Sequence, residues 1–204
     1  MKRFYVAALT GRSGSGKSYA SVVLAGLGVP VVDGDVLSRE VTGKGSRCLA
    51  KLVRAFSPEI LNEDGTLNRR RLADICFADP AQKRRLENIT HPYIIERLLH
   101  YYDAIKAKGE RVCLVEAAAL IESGLYANCD KIILITADEQ LQIERIMRRD
   151  NLTEHQAKSR LEAQMPVDDV KDLCDVIITN NGTLAEFEIK LKELAKNLND
   201  WFQT

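Results

Sequence analysis

The chain has 204 residues, 46% hydrophobic and 28% charged, proportions that exclude a disordered, collagen-like or low-complexity polypeptide and leave length for a substantial core. Its 29 Lys and Arg balance 29 Asp and Glu, so there is no basic excess to neutralise a nucleic acid, and any bound phosphate must be met by locally gathered cations. Five widely spaced cysteines, odd in number and without a C-x-x-C pair, support neither a disulfide framework nor a zinc site and predict buried thiols.

The first apolar run, Phe4–Leu9, is shorter than a signal-peptide core, and no stretch approaches a membrane span. A cytoplasmic chain with no membrane partner is expected. That run is instead the first of five apolar, β-branched segments, followed by Val29–Asp33, Val112–Glu116, Lys131–Thr136 and Asp175–Thr179. They are near-continuous rather than alternating, as in strands covered on both faces of a parallel sheet. Helical patterns lie between them, which predicts an α/β doubly wound fold.

The stretch at about residues 35–111 is too long for one crossover. It reads as helices over Asp35–Val41, Ser46–Phe56, Arg69–Phe77 and Pro80 to Lys108, a helical insertion and candidate substrate lobe. Asp138-Glu139 begins a later helix, and Thr153-Glu154-His155-Gln156 is a capping box for the next. A second box, Thr183-Leu184-Ala185-Glu186, precedes Leu184, Phe187, Leu191, Leu194, Leu198 and Phe202 at helical spacing. Without repeats or a Pro/Ser-rich linker, a single domain is expected.

Gly11-Arg12-Ser13-Gly14-Ser15-Gly16-Lys17-Ser18 fits G-x-x-x-x-G-K-[ST] at every fixed position. Glycines let backbone N–H groups converge on phosphate oxygens, Lys17 reaches the β/γ-phosphates, and the Ser18 hydroxyl can ligate Mg²⁺. The guanine-switch signatures D-x-x-G and N-K-x-D do not occur, which leaves a small-molecule kinase. Such an enzyme needs a group to hold the acceptor hydroxyl and cations for the transferring phosphoryl group.

Val31-Val32-Asp33-Gly34-Asp35 places two carboxylates at the carboxyl edge of the sheet, the ligand side of an open α/β fold. Asp35 reads either as a helix N-cap or as the group that deprotonates a sugar hydroxyl. Glu116, closing the third run, reads either as a metal-supporting acid or as a solvated strand end. Arg69-Arg70-Arg71 follows Asn68, a predicted N-cap, and three cations in a first helical turn oppose the dipole, which points to an anion site against the commoner solvated run. Arg145, Arg148 and Arg149 at a helix C-terminus are accounted for by the dipole alone. His91-Pro92 predicts a kink in a long helix.

The ordered series of motifs resembles the dephospho-coenzyme A kinase family over nearly the whole length. Besides the phosphate loop it comprises Val32–Asp35, Asp64-Gly65-Thr66-Leu67-Asn68-Arg69, Leu86-Glu87-Asn88-Ile89-Thr90-His91-Pro92, Gln142-Ile143-Glu144-Arg145, Arg149, Arg160-Leu161-Glu162-Ala163-Gln164 and Asp175–Gly182. The resemblance implies a P-loop kinase three-layer fold, with a five-stranded parallel core (about 1–36, 110–140 and 172–204), a helical substrate lobe (about 37–109) and a mobile lid (about 141–171). It implies ATP-dependent phosphorylation of the ribose 3′-hydroxyl of dephospho-coenzyme A, the last step of coenzyme A synthesis, with Mg²⁺.

Carried over residue by residue, Asp35 is the base, and Lys17 and Arg145 act on the phosphoryl group. Gly11, Gly14, Ser15, Gly16, Lys17, Ser18, Tyr19, Arg149 and Asn181 lie on the nucleotide side, with Ser18 on the metal. Asp33, Arg69, His91 and Glu116 lie on the acceptor side. ATP and dephospho-coenzyme A are the expected partners of a monomer, a homo-oligomer being the alternative. Two departures stand out: Tyr19 replaces the usual Thr after G-K-S, and the family's Asp-x-Pro-Leu-Leu-x-Glu appears as Glu116-Ala117-Ala118-Ala119-Leu120-Ile121-Glu122. They keep two alternatives open, another P-loop small-molecule or nucleoside kinase and a non-catalytic sensor.

Overall fold

The computed structural model describes residues 3–117, 121 and 124–200. Ala118, Ala119 and Glu122 of the altered stretch, and Phe202 of the last apolar stripe, lie outside them. The described residues form two compact units, one within 3–33 and 105–200, the other Gly34–Ala104.

The first unit is built on five parallel strands, β1 (Tyr5–Thr10), β2 (Val31–Asp33), β3 (Val112–Glu116), β4 (Lys131–Thr136) and β5 (Val176–Thr179), in the order β2-β3-β1-β4-β5. Helices α1 (Lys17–Gly26), α6 (Glu139–Asp150), α7 (Glu154–Glu162), the single turn α8 (Val167–Val170) and α9 (Leu184–Asp200) belong to the same unit. The two-residue period of the strands puts Ala7 and Leu9, Val112 and Leu114, Ile133 and Ile135 on one face. There they pack with Ala20 and Leu24 of α1 and with Phe187, Leu191, Leu194 and Leu198 of α9. Val6, Ala8, Cys113, Val115, Ile132 and Leu134, the alternate residues, are buried as well. Burial of both faces is the reason the strand segments read as unbroken apolar runs.

The second run pairs only from Val31. Val29 donates its N–H to Leu24 of α1 at 3.0 Å, and Pro30 has no N–H to give, so the ladder starts one residue later, with the Pro30 carbonyl accepting from Leu114 at 2.8 Å. The α9 stripe also starts later than its sequence pattern. Thr183 caps the helix, accepting from the Glu186 N–H at 3.3 Å, and Leu184 in the first turn is 58% exposed. Both capping boxes are present. All five cysteines are free thiols, and burial pushes the Cys113 thiol up to about 12, so it stays protonated and inert at neutral pH.

Asp175, just before β5, accepts from Lys131 Nζ and the Ile132 N–H, each at 2.8 Å, and so clamps β5 to β4. Burial works against its charge, but these partners outweigh it and hold the carboxyl below its ordinary value. A depressed folded-state pKa gives stability that is full above the unfolded value of about 4 and is lost as the pH falls below it. Asp175→Asn should therefore cost about 1 kcal/mol at pH 7, with the difference from the parent chain closing below about pH 4 in urea titrations.

The second unit contains α2 (Gly34–Val41), α3 (Arg47–Phe56), α4 (Arg69–Ala78) and most of α5 (Pro80–Ala107). Cys48, Leu52 and Phe56 of α3 pack with Leu72 and Cys76 of α4 and with Ile60 to form its core. Ser46 and Asn68 cap α3 and α4, accepting from the Leu49 and Arg71 N–H groups at 3.0 Å each. Between them Asp64-Gly65-Thr66 forms a turn, the Asp64 carboxylate accepting from the Thr66 N–H at 2.9 Å. Helix α5 continues through His91-Pro92, although Pro92 has no N–H to bond the preceding turn.

Candidate active site

β1 lies at the centre of the sheet, between β3 and β4, so the loop that follows it opens where the strand order reverses. An open α/β sheet binds its ligands at that point. Gly11–Gly16 occupies the turn and α1 begins at Lys17, with its first-turn N–H groups and dipole facing the loop. Gly14 and Gly16 have φ of 77° and 101°, the left-handed region that favours glycine. A Cβ on Gly14 would collide with Gln142 of α6, and one on Gly16 with the Asn180 side chain.

Lys17 Nζ donates to Glu116 Oε1 at 2.5 Å, both side chains little more than a tenth exposed. The Ser18 hydroxyl lies 3.4 Å from the same oxygen. Glu116 is therefore a buried acid engaged with the phosphate-loop lysine, which overturns its reading as a solvated strand end. Asp33 stands beside Glu116 in the β2–β3 register, and Leu9 beside it in the β1–β3 register. Lys17 and Ser18 of α1 thus meet the Glu116 carboxylate at the end of β3, with Asp33 at the neighbouring register position of β2. Hard oxygen ligands of this kind suit Mg²⁺, which keeps several waters and is held chiefly by substrate phosphates. Among the described residues no cluster of three His, Cys, Asp or Glu side chains forms an all-protein metal cage.

Arg145 donates to the carbonyls of Gly14 at 3.2 Å and Asn180 at 3.0 Å, bringing α6 onto the loop. Arg149, one turn further, makes a two-point contact with Asp150 at 2.8 Å, and Arg160 pairs with the same carboxylate. The neighbouring guanidinium groups hold Asp150 below the usual carboxylate range. Asn181 reaches the start of α6, its Oδ1 accepting from the Asp138 N–H at 2.9 Å.

Tyr19 turns to α9. Its hydroxyl donates to Glu188 at 2.5 Å and its ring tilts against Phe187 at 6.2 Å. The hydrogen bond to Glu188, helped by partial burial, raises its pKa. The bulk that departs from the family pattern thus fills space between α1 and α9, and only its main chain belongs to the loop. Tyr19→Phe should lower the urea midpoint and leave the KM for ATP within twofold in steady-state assays.

In the second unit, Asp35 lies in the first turn of α2, which begins at Gly34. Arg69 donates to Thr42 Oγ1 at 2.7 Å, and burial together with the charge of Arg39 lowers its pKa. Arg71 pairs with Glu59. Within the Arg69–Arg71 run, Arg71 is thus held by an acid, whereas Arg69 stands beside a second cation, a setting suited to an anion. His91 is half-buried within α5.

Three residues escaped the sequence reading. Arg12 donates to the Leu161 carbonyl at 2.5 Å, Gln164 accepts from the Ser13 N–H at 2.9 Å, and Asn180 donates to the Ser15 carbonyl at 2.9 Å. Gln164 and Asn180 fall within recognisable motifs, but nothing local in sequence assigns them to the loop.

A phosphate loop at the switch point of a five-stranded parallel sheet, with its lysine and hydroxyl beside acidic strand ends, defines a P-loop kinase. The family model for dephospho-CoA kinase matches residues 5–186, and the chain belongs to that family. A dephospho-CoA kinase of Shouchella clausii (strain KSM-K16) is 38% identical over 175 residues, 86% of this chain and 89% of that protein. Among solved structures, TT1252 from Thermus thermophilus matches with a TM-score of 0.81 at 29% identity, over 97% of this chain and 99% of the other. A dephospho-CoA kinase from Campylobacter jejuni matches at 0.68 and 27%, over 94% and 96%.

Proposed function

We propose that this chain transfers the γ-phosphoryl group of ATP directly to the ribose 3′-hydroxyl of dephospho-coenzyme A, giving coenzyme A and ADP. The observation that carries this reading is family membership over residues 5–186 joined to an intact phosphate loop whose Lys17 and Ser18 converge on Glu116. Backbone N–H groups of Gly14–Tyr19 receive the phosphates, with Gly11 opening the turn. Lys17 balances charge on the β/γ oxygens, and Arg145 adds a guanidinium beside the loop. Mg²⁺, when bound, neutralises phosphate charge; the Ser18 hydroxyl would hold it, with Asp33 and Glu116 supporting its waters.

Asp35 orients the acceptor hydroxyl and takes its proton as the new P–O bond forms and the bond to the ADP oxygen breaks. Arg69 and His91 are assigned to the acceptor, the second unit being its lobe. Residues 141–171 act as a lid, with Arg149 exchanging Asp150 for nucleotide phosphate as it closes, and Asn181 borders the nucleotide. No helix among the described residues is long and apolar enough to cross a membrane. A cytoplasmic monomer is the form we assign, a homo-oligomer being the alternative.

Incubation with Mg-ATP and dephospho-coenzyme A should yield coenzyme A and ADP in equal amounts. ATP binding without coenzyme A formation would sink the assignment in favour of a sensor, and faster turnover of another acceptor would favour a different small-molecule kinase.

A further inference from the structure

A phosphate loop presents an N–H group to its ligand only when the carbonyl of the same peptide points away, because C=O and N–H are opposed across a trans peptide. Something behind the loop must therefore hold those carbonyls. Here the Ser15 carbonyl accepts from Asn180 Nδ2 at 2.9 Å. A carbonyl oxygen accepts only, so the amide end facing it is the NH₂ group. Asn180 is 8% exposed and is fixed by its main chain on both sides. Its N–H donates to the Thr136 carbonyl at 2.8 Å and its carbonyl accepts from Arg145 at 3.0 Å. Gly16, in its left-handed conformation, leaves the space that the Asn180 amide fills.

We propose that Asn180 is a positioning residue for phosphoryl transfer, its amide aiming the Gly16 N–H at the nucleotide phosphates by holding the Ser15 carbonyl. The proposal rests on the nucleotide-binding half of the function above and is independent of the acceptor. It separates the two adjacent asparagines, since Asn180 supports the loop from behind while Asn181 binds the start of α6 through the Asp138 N–H.

Asn180→Asp keeps the side-chain shape, removes the donor and sets a carboxylate against the Ser15 carbonyl. In the purified full chain, the Kd for ADP and the KM for ATP should rise about tenfold or more, the cost of one misdirected charge-assisted hydrogen bond. The KM for dephospho-coenzyme A should stay within twofold. A merely structural asparagine would instead move both KM values together with the urea midpoint. ADP affinity within twofold of the parent in a folded Asn180→Asp chain overturns the proposal. If that variant does not fold, Asn180→Ala is read in the same way, and failure of both to fold marks a structural residue and also overturns it. A parent chain that binds no ADP would remove the functional reading as well, whereas a parent that binds ADP but does not phosphorylate dephospho-coenzyme A removes only the acceptor assignment.

Discussion

Asp35→Asn should lower kcat by roughly 10²–10⁴-fold, the range expected for loss of a positioned acid–base group. The amide has the size of the carboxylate and can still hydrogen-bond the acceptor hydroxyl, but it cannot take its proton. The transferred phosphoryl passes through a loose transition state in which orientation matters as much as deprotonation, so the lower half of that range is favoured. The KM for ATP should be unaffected. Stability should fall by no more than about 0.3–1 kcal/mol, because Asp35 stands in the first turn of α2, where a negative charge meets the positive end of the dipole. Steady-state kinetics with ATP and dephospho-coenzyme A varied separately, beside urea midpoints, divide these effects. Turnover within tenfold of the parent removes Asp35 from the chemistry.

Lys17→Met should abolish measurable transfer and also destabilise the fold. Loss of a cation that stabilises developing charge costs on the order of 10³-fold in kcat. In addition, the Glu116 carboxylate would be left in the site without its partner. Removing one member of a buried ion pair costs about 3–5 kcal/mol, and the slight exposure of this pair places the cost near the lower end. Lys17→Met/Glu116→Gln should regain most of the stability, since no buried charge remains, and none of the activity. That split between urea midpoint and kcat distinguishes the lysine's chemical role from its structural one. A Lys17→Met chain as stable as the parent would mean the pair contributes nothing to the fold.

Local chemistry made much of this molecule legible from sequence. β3 and β4 begin and end where their runs do, since strands buried on both faces carry polar residues only at their ends, Glu116 in β3 and Lys131 and Thr136 in β4. The glycines of the phosphate loop, the Asn68 cap and both capping boxes are fixed by contacts within a few residues. β2 was overestimated where the main chain is already committed: Val29 closes the end of α1 and Pro30 cannot donate.

The site residues divide along the same line. Lys17 and Ser18 are readable from the loop motif alone. That Glu116 engages them, that Tyr19 faces α9 and that Asn180 holds Ser15 depend on partners about 100 to 170 positions away. Arg145 is the instructive case. A helix C-terminus explains an arginine there without any function, and only the fold brings its guanidinium to the Gly14 carbonyl.

The four ties on the phosphate loop have a consequence for the order in which the molecule is made. Arg12, Ser13, Gly14 and Ser15 are anchored by Leu161, Gln164, Arg145 and Asn180, and β1 pairs with β3 and β4. The nucleotide cradle leaves the ribosome before Arg145, Leu161, Gln164 and Asn180, and its ties close only after they have followed. At about 5–20 residues per second, roughly 10–30 s separate synthesis of the loop from synthesis of Asn180. Until then the loop that carries Lys17 lacks its Asn180 tie, and nucleotide capture should strengthen once synthesis has passed that residue.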